Sequence, residues 1–179
     1  MKFVKTKIEG VHVIELEPRV DERGYFARNF CKKELAAAGI DYDIAQINRS
    51  FTNKKGTIRG MHFQKAPKEE AKIFQCLRGA MFYVAVDLRA NSKTFGKWVG
   101  EELSEENKKM ILVPKGFGSG YQTLTNNCGV QYWVSEFYSP ECEGGIRFND
   151  PFFKIEWPIQ NPILSDKDKS WPDWPLIKK

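Results

Sequence analysis

Short apolar segments, each followed by turn residues, recur along almost the whole chain, and this spacing constrains the fold more than any other feature. Such segments, rich in Val, Ile, Phe, Tyr and Trp, are typical of β-strands. Many short strands at this spacing indicate an all-β jelly roll or barrel of two sheets. One clear helix is predicted near 31–38, where Gly39 would cap the C-terminus. Strands are predicted near 3–8, 11–16, 44–51, 56–64, 72–78, 80–88, 96–103, 110–114, 120–125, 129–138 and 153–157.

Length and composition set the outer limits. A chain of 179 residues is predicted to form one domain, 1–179, and a domain of this size buries roughly 70 % of its chain surface. No apolar run approaches the roughly 20 residues of a membrane helix, and the first residues lack a signal-peptide pattern. Lys and Arg are dispersed despite the net charge of +5, which disfavours nucleic acid as a partner. Four cysteines without C-x-x-C spacing predict a reducing, cytoplasmic setting.

One predicted strand, GTIRGMHFQ at 56–64, carries one of the two histidines of the chain. Strict alternation would place Arg59 and His62 on opposite faces, unless a bulge at Gly60 changes the order. Histidine exchanges protons near neutral pH, so His62 is a candidate general base. The alternative is a histidine that only packs in the strand.

Other polar residues lie within apolar strands and are candidates to line a site between the sheets. Gln46, Asn48 and Ser50 alternate and therefore share one face of their strand. Lys72 would supply a fixed positive charge near His62 if it points inward. The predicted lining comprises Gln46, Arg59, His62, Gln75 and Tyr132.

The segment VPKGFGSGYQTL, at 113–124, contains the Pro-x-Gly turn typical of cupin-type barrels. Metal-binding cupins place a histidine where this chain has Ser119, and they need further histidines and a glutamate. A transition-metal site requires several convergent ligands. The sequence therefore predicts no metal.

Three further elements suit acid–base chemistry or anion binding. The hydroxyl of Tyr132 can donate a proton, and nearby cations could lower its pKa from about 10; a core tyrosine is the alternative. Asp168, in LSDKD, is the kind of carboxylate that orients a histidine. DERGYF, at 21–26, followed by Arg28, suits an anionic ligand with a ring, although a surface turn has the same composition.

Together these motifs resemble dTDP-4-dehydrorhamnose 3,5-epimerases. The resemblance is collinear and covers nearly the whole chain. It implies a cupin-like double-sheet jelly roll with one or two short helices, and a homodimer that acts on nucleotide sugars in the cytoplasm without a cofactor. The motifs that carry it are RGMHFQ, AVDLR with TFGKW, LVPKGFGSGYQTL, FYSPECEGGIRFNDP and PILSDKD.

The resemblance also implies roles for individual residues. His62 resembles the base, Asp168 its orienting acid, Tyr132 the proton donor on the opposite face, and Lys72 the support for an enolate. The remaining matched positions are predicted to bind substrate: Arg23, Phe26, Arg28, Gln46, Asn48, Arg59, Ser119, Tyr138, Glu143 and Lys167.

Two of these positions depart from the family pattern. Ser119 replaces a histidine next to the keto oxygen, and Arg28 replaces a glutamate near the nucleotide base. The departures leave open which base is bound and whether C3 alone or both C3 and C5 are inverted. Two other functions stay as alternatives: a 3,4-ketoisomerase, which relies on a histidine pair, and a non-catalytic cupin that binds a nucleotide sugar or carbohydrate.

Overall fold

A computed structural model describes residues 1–174. Thirteen strands and two short helices make up its regular structure. The strands are β1 (Lys2–Lys5), β2 (His12–Glu15), β3 (Arg19–Asp21), β4 (Gly24–Phe26), β5 (Gln46–Thr52), β6 (Ile58–Gln64), β7 (Lys72–Arg78), β8 (Ala80–Asp87), β9 (Trp98–Ser104), β10 (Met110–Val113), β11 (Phe117–Thr123), β12 (Cys128–Val134) and β13 (Glu143–Gly145). The helices are α1 (Lys32–Ala37) and α2 (Asp166–Lys169), and one 3₁₀ turn covers Pro140–Cys142.

The strands form two antiparallel sheets that face each other. The larger sheet has the order β1-β2-β10-β7-β12-β5, and the smaller has the order β13-β6-β11-β8-β9. A separate hairpin, β3-β4, lies outside both sheets. From β5 to β13 the chain crosses between the sheets at every step except β8–β9, so it forms the predicted jelly roll, and the two short helices agree with that prediction.

The core lies between the sheets, because each strand directs alternate side chains inward. Phe74, Tyr83, Tyr121 and Val130 belong to this interior cluster. The outer faces are covered as well. Leu35 of α1 packs on the larger sheet, and a coil that follows β13 packs on the smaller one.

The smallest elements depart from prediction. The strand predicted near 153–157 is wrong: Phe153 and Trp157 are buried on the outer face of the smaller sheet without joining it. Their apolar spacing reflects packing and not strand pairing. The sequence does not locate β3, β4, β13 or α2, because three or four residues are too few to establish a period.

The ends of the helices follow local chemistry. Gly39 adopts a φ of +75° just after α1, as the predicted cap requires. The Ser165 hydroxyl accepts a hydrogen bond of 3.1 Å from the amide of Asp168 and so begins α2. The Pro- and Trp-rich sequence SWPDWPLIKK, at 170–179, predicts an irregular C-terminus; the chain is irregular over 170–174, and 175–179 lie outside the described residues.

None of the helices within residues 1–174 combines the length and the apolar character that crossing a membrane would require.

Candidate active site

A bulge in β6 brings two polar side chains onto one face. His62 pairs with Ser119, while Arg59 pairs with Tyr121, so three steps on β6 match two steps on β11. Ser119 and Tyr121 share the inner face of β11, and directly opposed residues share a face. Arg59 and His62 therefore both face the interior, and the prediction from strict alternation is wrong because the extra residue shifts the order at Gly60.

Close backbone approach explains why glycines lie at the bulge. Gly60 has a φ of +137°, and a Cβ on it would lie 2.5 Å from the Cα of Gly120. A Cβ on Gly120 would in turn lie 2.7 Å from the carbonyl oxygen of Arg59. The two strands can meet here only without side chains. The bulge also sends Met61 outward into the cluster behind the smaller sheet.

His62 and Asp168 form a hydrogen-bonded pair in which Nε2 lies 2.6 Å from Oδ1. The His62 side chain is 35 % exposed, whereas the Asp168 side chain is only 6 % exposed. Burial acts to raise the pKa of Asp168, but His62 and the Gly60 amide outweigh it and hold the pKa below its usual value. An ionised carboxylate only accepts hydrogen bonds, so Nε2 carries the proton. The lone pair of His62 is then on Nδ1, the atom able to take a proton.

Trp171 forms a wall beside this pair. Its ring centroid lies 6.4 Å from that of His62, at an angle of 64°. The indole occupies the space above Gly145, which pairs with His62, and a Cβ on that glycine would lie 2.1 Å from the indole ring. The sequence does not mark Trp171 as a site residue, because it lies in an irregular Pro- and Trp-rich segment. Only the glycine pair of GGI at 144–146 hinted at close packing.

Tyr132 approaches from the opposite sheet. It lies on the inner face of β12, across from Asn48, and stacks on Phe74 with centroids 4.7 Å apart and planes at 6°. Burial raises the pKa of Tyr132, and Tyr121 adds to the increase, while Arg59 opposes it only weakly. The prediction that cations lower this pKa is therefore wrong. The phenol stays protonated at neutral pH and can act as a donor.

Lys72 points inward at the start of β7, since it alternates with the interior residues Phe74 and Cys76. Its ammonium lies 2.9 Å from Oε1 of Glu70, and both side chains are only 12 % exposed. The predicted inward charge is present, but Glu70 compensates part of it. The sequence does not mark Glu70 as a partner of Lys72, because KEEAK at 68–72 has the composition of a solvated acidic loop.

The inner face of β5 is polar, as the alternation predicts. Arg59 donates from Nε to the Thr52 hydroxyl at 2.9 Å and so joins the two sheets at their open edge. The hydroxyls of Ser50 and Tyr121 lie 2.9 Å apart. The Gln46 side-chain oxygen accepts a hydrogen bond of 2.8 Å from the amide of Tyr138. These contacts leave Asn48 between them, next to Tyr132.

Three predicted substrate-binding residues form the rim: Glu143 on β13, Lys167 on α2, and Tyr138 in the segment between β12 and β13. Both carboxylate oxygens of Glu143 lie 2.7 Å from Nζ of Lys167, and Tyr138 donates its hydroxyl to Glu143 at 3.0 Å. Burial raises the pKa of Glu143, but Lys167 and Tyr138 together hold it below its usual value. Glu143 is thus an ionised group near His62, two residues from Gly145 on the same face.

Four residues from the sequence analysis do not join this group. Gln75, predicted to line the site, faces the outer side of the larger sheet and accepts a hydrogen bond of 2.9 Å from Asn29. Its neighbours Phe74 and Cys76 take the inward positions on that strand.

The other three residues, Arg23, Phe26 and Arg28, lie on or just after the β3-β4 hairpin. Within one chain this hairpin is separate from the site that contains His62. Arg23 pairs with Asp21, and Arg28 pairs with Glu34 at 2.8 Å. Phe26 is 67 % exposed and borders, with Arg28, a separate cleft of about 430 Å³. One chain therefore does not bring these predicted substrate-binding residues to the histidine.

Comparison with known proteins gives a consistent result. The family model described as dTDP-4-dehydrorhamnose 3,5-epimerase matches residues 5–175. A protein of that name from Shigella flexneri is 43 % identical over 169 residues, which cover 94 % of this chain and 93 % of that protein. A dTDP-4-dehydrorhamnose 3-epimerase from Streptomyces niveus is 37 % identical over 170 residues, 94 % of this chain and 82 % of that protein.

A solved structure agrees at the level of the fold. The crystal structure of dTDP-4-dehydrorhamnose 3,5-epimerase from Bacillus anthracis, with TDP and PPi bound, superposes with a TM-score of 0.94 at 41 % identity. The match covers 97 % of this chain and 99 % of that one. The chain thus belongs to the dTDP-4-dehydrorhamnose 3,5-epimerase family, a family of isomerases.

Proposed function

We propose that this protein inverts C3, or both C3 and C5, of a nucleotide-activated 4-keto-6-deoxy sugar by removing and returning a proton. Both carbons lie next to the carbonyl, so a base can remove either proton and leave an enolate. One observation carries the proposal: His62, which is hydrogen-bonded to Asp168, and Tyr132 lie on the facing inner surfaces of two different sheets.

The first step is proton removal by Nδ1 of His62. The bond of 2.6 Å to an ionised Asp168 supports this assignment, because it keeps the proton on Nε2 and stabilises the imidazolium that forms. The electron pair of the broken C–H bond moves onto the carbonyl oxygen. Lys72 and the hydroxyl of Ser119 would support the resulting negative charge.

The second step is proton return by Tyr132 on the other face of the sugar. Its raised pKa supports a protonated phenol, and the enolate carbon takes that proton as the C=O bond re-forms. The centre is then inverted, His62 holds the extra proton, and the tyrosinate has lost one. Proton exchange with water restores both groups before the next turnover.

The nucleotide and its diphosphate would lie along the rim. Lys167 is a cation of this rim and Arg59 is a cation of the edge where β6 meets β5, and arginine forms strong paired contacts with phosphate oxygens. The related Bacillus anthracis structure has TDP bound, which supports a nucleotide-sugar partner. A relative from Streptomyces niveus is named a 3-epimerase, so the experiment must distinguish inversion at C3 alone from inversion at both C3 and C5.

A homodimer would explain the hairpin. Val20, Tyr25 and Phe26 expose large apolar side chains on it, as Ile47 and Phe51 do on the outer face of β5. We infer that one protomer's hairpin approaches the other's site, which brings Arg23, Phe26 and Arg28 near substrate. The chain would act as one domain in the cytoplasm, where its four cysteines remain reduced.

The second histidine argues against a 3,4-ketoisomerase. His12 pairs with Leu112, which packs on the outer face of the larger sheet, so His12 faces away from the interior. Its Nδ1 lies 3.0 Å from the carbonyl oxygen of Gly10. A mechanism that needs two histidines in one site has only His62 available in this interior.

The test is exchange with deuterated water. Incubation with dTDP-4-keto-6-deoxyglucose in D₂O should introduce deuterium at C3, at C5 or at both, as NMR detects, and should yield inverted product. His62→Ala should abolish exchange, while the matched change His12→Ala should leave it intact. Absence of exchange with the thymidine, cytidine, guanosine and uridine forms of the substrate would reject the proposal, and tight binding without exchange would indicate a binding protein.

A further inference from the structure

One buried phenol in the core lacks a partner. Tyr83 is 0 % exposed, and its hydroxyl makes no hydrogen bond to any group within residues 1–174. A buried hydroxyl without a partner lowers stability, so its presence calls for an explanation. Burial raises the pKa of this phenol, and the neighbouring Ser119 hydroxyl opposes that increase, although the geometry falls short of a hydrogen bond.

Tyr83 lies close to the proposed chemistry. It is opposite Tyr121 in the β8–β11 pair, and Ser119 follows two positions away on the same inner face. Ser119 is itself opposite His62 and only 4 % exposed. Phe74 packs against the ring of Tyr83 with centroids 4.7 Å apart and so holds the phenol in place.

The position of Ser119 fits the keto oxygen. A base that removes a proton next to a carbonyl has the carbonyl oxygen close by, and side chains opposite each other on paired strands are about 5 Å apart at Cβ. The Ser119 hydroxyl has one proton to donate and lone pairs that accept. If that proton goes to the carbonyl oxygen, a second donor is needed to fix the direction of the hydroxyl, and Tyr83 is next to it.

We propose that Tyr83 is a positioning residue that donates its hydroxyl to Ser119 Oγ when substrate is bound, so that Ser119 donates to the keto oxygen. Two neutral hydroxyls in series polarise each other and support the enolate at this position. No proton is transferred along the pair. Among residues 1–174 the phenol has no partner in the free protein, because Ser119 turns toward it only when the carbonyl oxygen accepts the serine proton. This inference rests on the proposed function.

The test is a double-mutant cycle on Tyr83→Phe and Ser119→Ala, read by exchange in D₂O. Each single change should lower kcat about tenfold, since lost enolate donors act on the transition state, and KM should change less than about twofold. The double variant should match Ser119→Ala, because the phenol acts only through the serine. Tyr42→Phe is the control: this phenol donates to the carbonyl oxygen of Trp133 at 2.7 Å on the outer face, and kcat should not change.

Stability separates this role from a structural one. Tyr83→Phe removes a hydroxyl without a partner, so its Tm should equal or exceed that of the unmodified protein, while Tyr42→Phe should lower Tm. An unchanged kcat, multiplicative losses in the double variant, or a lower Tm for Tyr83→Phe would overturn the inference while the exchange reaction stands. No exchange by the unmodified protein would instead overturn the proposed function.

Discussion

Two buried carboxylates of this protein, Asp87 and Asp168, serve different purposes. Asp87 accepts hydrogen bonds from the guanidinium of Arg89 and the hydroxyls of Ser92 and Thr94, within 3.0 Å. Burial acts to raise its pKa, but these partners hold the pKa at about 2. Asp168 instead meets an imidazole that is open to solvent on its far side.

The difference lies in the partner and not in the depth of burial. Arginine remains charged at any working pH, so Asp87 and Arg89 form a permanent ion pair. Histidine gains and loses its proton near neutral pH, so Asp168 can follow a reaction cycle. A buried acid with fixed partners stabilises the fold, whereas one with a titratable and accessible partner suits catalysis.

The largest effect should come from Asp168→Asn. An amide can donate to Nε2, which moves the imidazole proton to Nδ1 and removes the lone pair that would act as base. We expect kcat to fall about 10³-fold or more, with a smaller loss of Tm than Asp87→Asn causes, because the partner of Asp168 is a histidine and not a permanently charged arginine. Steady-state kinetics and thermal unfolding measure the two effects. If kcat fell by less than about tenfold, Asp168 would, like Asp87, serve mainly to stabilise the fold.

Asp87→Asn should show the reverse pattern. The folded pKa of about 2 lies below the unfolded value of 3.8, so the carboxylate contributes about 2 kcal/mol, fully present above pH 4 and lost as the pH falls toward 2. The variant should lose about that much unfolding free energy at pH 7 without a change in kcat. Urea unfolding at several pH values should show the gap closing between about pH 4 and pH 2. A constant gap would contradict the account.

Gly145→Ala should have a smaller effect, on the wall of the site. Its new Cβ would meet the Trp171 indole at 2.1 Å, so the indole must move away from His62. We expect kcat to fall about tenfold with a Tm loss of a few degrees, since misplacement near a reacting group affects rate strongly. Gly129→Ala is the matched strand control: its nearest contact would be 3.4 Å, and kcat should stay the same. If the two changes lowered kcat equally, the position of Trp171 would not matter for catalysis.

The strand pattern was largely predictable, because ten of the predicted segments contain alternating or apolar runs that pair in the sheets. The faces of Arg59 and His62 were not, since the bulge depends on how β6 pairs with a strand far along the chain. The sequence predicts an uncompensated positive charge at Lys72. Its partner Glu70 lies two residues away in a loop, where the sequence gives no sign that the two side chains meet. The residues next to Tyr83 and Trp171 in the sequence do not indicate a role in the site. Their roles depend on contacts with residues from distant segments.

The central claim is that two groups act on opposite faces of the sugar, and Tyr132→Phe tests it most directly. With the phenol removed, His62 can still take a proton and return it from the same side. In D₂O the variant should therefore introduce deuterium into the substrate while the configuration at that carbon is retained, and NMR distinguishes this from inversion. Inverted product formed at the rate of the unmodified protein would contradict the account.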